Sequence, residues 1–178
     1  MSTTGPKKTT LRGLSEIRSH FFRDPTPLWS VCASPYTMLG MDEWVRGFRY
    51  VSHCDAFDGA HPRVLVPPRI GAQVFPDATL EAMNARLLRA PEVQAAIRAG
   101  GPGRVAMILY DEECEALCES MGQQLIFPPA ALARRLDDKV ETSRMADRAG
   151  VACVPFALGP VRSWADLQGL AGHLGPNL

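Results

Sequence analysis

Residues 104–127 read RVAMILYDEECEALCESMGQQLIF, and this run decides the fold. Arg104 to Tyr110 is a continuous apolar stretch of the kind that a parallel sheet covered on both faces requires. Asp111 to Met121 follows, with Leu117 and the Cys114/Cys118 pair on neighbouring helical turns, and Gly122 stops it. Gln124 to Phe127 is then a second short apolar strand. Strand, helix and strand in that order make a βαβ unit, so residues 104–150 are expected to form a Rossmann-like layer with parallel neighbouring strands and a right-handed crossover. Cys114 and Cys118 are read as core thiols, because a disulfide across one helical turn is strained.

Upstream, Leu28 to Ala33 and Arg63 to Val66 read as strands, with a weaker one at Phe48 to Val51 between them. Residues 79–89 carry apolar side chains at helical spacing, and Pro91 opens a second helix that stops at Gly100-Gly101. Gly100, Gly101 and Gly103 precede a strand rather than link a strand to a helix, so they form a loop and not a dinucleotide fingerprint. Leu11, Leu14, Ile17 and Phe21 mark residues 10–22 as an amphipathic helix that docks on the body or on a partner. His53, Cys54, Asp55, Asp58 and His61 are ligand types that zinc accepts, but their spacing matches no zinc motif and their composition is that of a turn, so no metal is assigned.

Downstream, Pro128 to Gly159 reads PPAALARRLDDKVETSRMADRAGVACVPFALG. Asp138 with Glu141 three residues on forms a capping box that places Lys139 in the first turn of a helix, where free N–H groups and the dipole favour an anion. Gly150 ends that helix, and Val151 to Phe156 is expected to be a strand leading into a new layer. Arg134, Arg135 and Arg144 are read as solvated helix faces. Ser163 and Asp166 form a second capping box, before a helix over 163–174 whose apolar face, Trp164 and Leu167 included, is expected to be left partly uncovered.

The chain has 178 residues, 46% of them hydrophobic, and lysine plus arginine equal aspartate plus glutamate at 19 each. Such a balance gives no bulk field toward nucleic acid or an anionic membrane, and the apolar content suffices for a core. The five cysteines are odd in number and lack CxxC pairs, which suits reduced thiols in a cytoplasmic protein. No apolar run reaches the roughly 20 residues a bilayer span needs, and MSTTGPKKTT is too polar for a secretory signal.

Asp137-Asp138-Lys139, followed by Ala149-Gly150-Val151-Ala152-Cys153-Val154-Pro155, resembles the junction between the pre-ATP-grasp and ATP-grasp domains of the biotin carboxylase and carbamoyl-phosphate synthetase group. In that group a Gly-Asp-Lys or similar turn precedes a helix leading to Ala-Gly-Val-Pro, and the lysine reaches the nucleotide phosphates; Asp137 stands where the group often has glycine. The His-Pro-Gly-Tyr-Gly turn of true biotin carboxylases is absent, with Tyr110-Asp111-Glu112-Glu113 in its place. The resemblance runs from about residue 104 to the end.

It implies an N-terminal polar tail and amphipathic helix over 1–27, a pre-ATP-grasp Rossmann-like domain over 28–150, and the start of a truncated ATP-grasp domain over 151–178. It further implies ATP and Mg2+ as cofactors, Lys139 as the nucleotide contact, a small-molecule carboxylate substrate, and acyl-phosphate ligase chemistry in a longer chain. The catalytic residues are left unassigned, and the magnesium ligands are implied to come later than this sequence. Oligomeric state stays open, a homodimer included. The competing reading is a non-catalytic α/β module that binds a ligand or partner through its N-terminal helix and the crevice at its strand ends.

Overall fold

The computed structural model describes residues 10–55, 61–71 and 76–174. Five strands, β1 (Leu28–Cys32), β2 (Phe48–Ser52), β3 (Val64–Leu65), β4 (Gly103–Ala106) and β5 (Gln123–Leu125), form one sheet in the order β3-β2-β1-β4-β5. Every pairing is parallel. The chain steps outward from β1 through β2 to β3, then returns to lay β4 on the other side of β1. The two directions diverge between β1 and β4, the topological switch point of a doubly wound α/β sheet.

The central strand explains the apolar runs. Trp29, Ser30 and Val31 of β1 are all buried, because a strand flanked by two neighbours and covered on both faces has no wet side. Gly47 lets β2 approach: a Cβ there would overlap the Thr26 carbonyl oxygen, and its own carbonyl accepts from the Leu28 N–H at 3.0 Å.

Helices supply the rest of the core. After α1 (Leu14–Phe21) and the single turn α2 (Pro68–Gly71), α3 (Leu80–Arg89) and α4 (Pro91–Ala99) bring Leu87, Leu88, Val93 and Ile97 against Val31, Val51 and Val105. The Thr79 hydroxyl caps α3 by accepting from the Ala82 N–H, and Pro91 opens α4 where its missing N–H costs nothing. Helix α5 (Glu112–Ser120), capped by Asp111, buries Cys114 and Cys118 in the same cluster. Both thiols are free, as are Cys32, Cys54 and Cys153. The expected β4-α5-β5 unit is therefore present, with parallel pairing.

The chain divides into two compact units, the first ending at Ala130 and the second starting at Ala131. Beyond β5 come α6 (Ala130–Asp137), α7 (Lys139–Arg148) and α8 (Trp164–Ala171), the last followed by a 3-10 turn over Gly172–Leu174.

Three expectations need correction. The strand expected at Val151 to Phe156 does not form: residues 151–162 belong to no helix or strand, and Val154 is 81% exposed. A strand needs a ladder partner, none of the described strands pairs with it, and Pro155 lacks a donor. The strand expected over 104–110 ends at Ala106. Met107 stays buried, but Ile108 is exposed as the chain turns toward the Asp111 cap, and the short edge strand β5 extends the ladder no further than the Ile126 N–H bond to the Val105 carbonyl. Third, of the two places expected for the apolar side of α1, the body or a partner, the body does not take it: Leu14 and Phe21 are exposed and no residue of the helix is buried. Its bond to the first unit is polar, from the Arg18 Nε to the Glu43 carbonyl at 3.0 Å.

Candidate phosphate-binding site

Helix α7 starts where its sequence dictates. Asp138 takes extended backbone, and its Oδ1 accepts from the N–H groups of Val140 at 2.8 Å and Glu141 at 3.0 Å. The capping box is only half made. The Glu141 carboxylate instead pairs with the Arg135 guanidinium at 3.1 Å, and the Asp138 N–H donates to the Arg134 carbonyl. At the other end, Gly150 has φ of 66°, the Gly150 N–H donates to the Asp147 carbonyl and the Val151 N–H reaches back to that of Ala146. These two bonds are a Schellman stop, which a side chain at the left-handed position would strain.

This geometry changes what the helix start can offer an anion. Two first-turn donors and much of the dipole are already answered by the Asp138 carboxylate, so the backbone is not a free cradle. What remains is the Lys139 side chain, which is exposed and whose ammonium has no hydrogen bond or ion pair among the described residues; only its carbonyl is engaged, accepting from the Ser143 hydroxyl at 2.7 Å. Of its neighbours, Arg135 is committed to Glu141, while Arg134 and Arg144 are exposed, as expected of wet helix faces. Val140 and Arg144 line a crevice of about 420 Å³ within the second unit, walled by Leu158, Val161, Leu167 and Leu170. Cationic and apolar groups thus lie side by side along α7.

The carboxyl ends of the strands, where doubly wound sheets place their ligands, hold a different set. Cys32 Sγ donates to the Ser34 carbonyl at 2.6 Å, while Ser52 Oγ and Cys54 Sγ share the Ala33 carbonyl at 3.2 and 3.5 Å. Burial pushes the Cys32 thiol pKa up, which keeps it protonated and a poor nucleophile. Asn84, buried in α3, donates to the Leu109 carbonyl at 2.6 Å. These side chains hold the loops of the switch point through backbone carbonyls, and they assemble no acid-base pair.

The segment from His53 to His61 is split by the fold. His53 lies half-buried just past β2, whereas the His61 ring packs edge-on against Tyr50 at 5.7 Å and its Nε2 stands 3.9 Å from the Asp42 carboxylate. Asp58 lies outside the described residues. Among those described, no three His, Cys, Asp or Glu side chains converge as a metal site.

Sequence reasoning missed one polar cluster. The Tyr50 hydroxyl meets the Met38 carbonyl at 2.8 Å and Asp42 Oδ1 at 2.9 Å, and Asp42 Oδ2 lies 3.6 Å from the Arg63 Nε. Burial, then the Asp42 hydrogen bond, pushes the Tyr50 pKa up to about 12.

Comparison with known proteins found no matching family model, no similar curated protein and no similar solved structure. What stands is the class: a parallel, doubly wound α/β sheet followed by a separate helical unit.

Proposed function

We propose that this chain is the N-terminal part of an ATP-dependent ligase of the ATP-grasp kind, biotin carboxylase-like or joining a carboxylate to an amine. The observation that carries the reading is Lys139: an uncommitted ammonium in the first turn of an Asp-capped helix with a Schellman stop, downstream of a Rossmann-like sheet. Its role is to neutralise β- or γ-phosphate charge through charge-assisted hydrogen bonds. The Asp138 carboxylate, turned onto the helix backbone, keeps the first turn formed and is not a second phosphate contact.

In such ligases ATP phosphorylates a carboxylate or bicarbonate, and an amine or similar nucleophile attacks the acyl phosphate. By the family resemblance, the magnesium ligands belong to a later part of such a ligase. The chain alone is then a binding part and not a complete catalyst, acting on a nucleotide and a small carboxylate substrate in the cytoplasm. Among the described residues no helix is long and apolar enough to cross a membrane.

A specific observation favours the second reading, a non-catalytic module that binds a partner. The apolar residues Leu14 and Phe21 of α1 are exposed. The two readings separate by calorimetry with ATP and ADP, with and without magnesium, on this chain and on one extended past Leu178. Nucleotide binding that strengthens in the extended chain supports the ligase. Its absence from both leaves the module.

A further inference from the structure

In the first unit, at the amino ends of β2 and β3, a pocket of about 590 Å³ gathers three arginines. Trp29 of β1 lines it, with Arg46 and Arg49 at the start of β2, Arg63 just before β3, Leu65 of β3 and Ala96 of α4. No acidic side chain is among the lining residues. The volume lies within the range of about 300–1,000 Å³ typical of small-molecule sites.

The three guanidiniums are differently held. Arg63 is fixed: its Nη1 donates to the Arg46 and Phe48 carbonyls at 3.2 and 3.5 Å, and its charge faces Asp42. Arg49 lies over the Trp29 ring, 5.9 Å from the centroid, with one long hydrogen bond to the Gly47 carbonyl. Arg46 has no side-chain partner among the described residues. The Asp42 carboxylate faces Arg63 and is shared with His61 and Tyr50. Two arginines that line the same pocket, Arg46 and Arg49, therefore have no carboxylate partner among the described residues, and an oxyanion would supply one.

Trp29 is 4% exposed, and its Nε1 donor is buried without a hydrogen-bond partner, a condition that is rare in folded proteins. Opposite the arginines, Val64, Leu65 and Ala96 provide an apolar wall. We propose that this pocket is a binding site for a small organic anion, a carboxylate or phosphate carried on an apolar body, gripped by Arg46 and Arg49 and packed against Trp29 and Leu65. The site goes beyond the nucleotide reading and involves none of its residues.

The test is titration of the full chain with phenyl phosphate, benzoate and inorganic phosphate, followed by calorimetry and tryptophan fluorescence. At least one of the two aromatic anions is expected to bind saturably at one site and more tightly than inorganic phosphate, and the stronger of the two identifies the anionic group. The double variant Arg46→Ala/Arg49→Ala should lose about tenfold or more in affinity, with circular dichroism unchanged because both side chains are exposed. Lys139→Ala should bind these probes as the parent does, which separates this site from the nucleotide contact. No saturable binding of either aromatic anion, equal binding of inorganic phosphate, or affinity that survives the double arginine variant overturns the proposal.

Discussion

Val105 and Val154 both sit in apolar runs that read as strands, yet the first is fully buried and the second is 81% exposed. The difference lies in what stands beside them. Val105 is matched to Trp29 on one side and Leu125 on the other, so its backbone groups are paired and its side chain enters a cluster with Val31, Leu87 and Cys118. Val154 has no ladder partner, and Pro155 follows it. The contrast extends to the helices. In the first unit α3 and α4 bury Leu87, Leu88, Val93 and Ile97, whereas α7 and α8 bury nothing fully and leave Val140, Trp164 and Leu167 exposed. Apolar composition alone does not make a core; a neighbour that covers it does.

That comparison breaks first in the core. Leu87→Ala removes a fully buried side chain from the largest cluster and should cost about 2–5 kcal/mol, read as a lower midpoint of chemical denaturation with the slope unchanged. A loss below about 1 kcal/mol would mean that the packing around α3 collapses readily or is not formed.

Alkaline pH is the next lever. Burial, the first cause in both cases, pushes Cys114 from its ordinary 9.0 up to about 11 and Cys118 up to about 12. Between pH 9 and 11 the unfolded chain has released these protons while the folded chain still holds them. Stability is therefore complete below pH 9 and falls as pH rises toward the folded values, with a slope of up to about 1.4 kcal/mol per pH unit for each thiol. Denaturation midpoints from pH 8 to 11 should decline, and Cys118→Ala should flatten the decline. In the same pH range a thiol reagent should modify exposed Cys153 in the native protein and leave Cys114 and Cys118 untouched until unfolding.

Smaller effects belong to the second unit. Asp138→Ala deletes the cap that holds two N–H groups of α7 and should cost about 1 kcal/mol, visible as faster amide exchange along that helix. Trp164→Ala, at a residue 70% exposed, should change stability by less than about 0.5 kcal/mol. A cost as large as that of Leu87→Ala would show that Trp164 is covered in solution, and the contrast between the two units would fail.

The parts of the fold that the sequence revealed are those whose signals are local. The Asp138 and Ser163 caps, Pro91 at a helix start and the Gly150 stop each act within a few residues, and each stands where its type demands. The β4-α5-β5 unit was equally readable, because a buried parallel strand must be apolar on both faces. Pairing was not. The order that puts β4 beside β1, the early end of β4 at Ala106 and the unpaired run after Gly150 depend on neighbours distant in sequence. At the candidate site, Lys139 and its cap were visible from the Asp-Asp-Lys spacing, but the turning of Glu141 toward Arg135 was not, since it depends on a guanidinium delivered by the preceding helix. The Tyr50–Asp42–Arg63 cluster was hidden for the same reason: its members come from three segments that only the fold brings together.

If Lys139 contacts nucleotide phosphate, as proposed, the ATP affinity of the Lys139→Ala variant must fall. Calorimetry in the chain extended past Leu178 should show a loss of at least about tenfold, or 1.4 kcal/mol, as one charge-assisted contact disappears, with Lys139→Arg recovering only part of it. Because Lys139 is exposed and carries no packing, circular dichroism should be the same in both variants. Unchanged ATP affinity in the alanine variant, with α7 intact, would contradict the account and leave Lys139 a solvated surface charge.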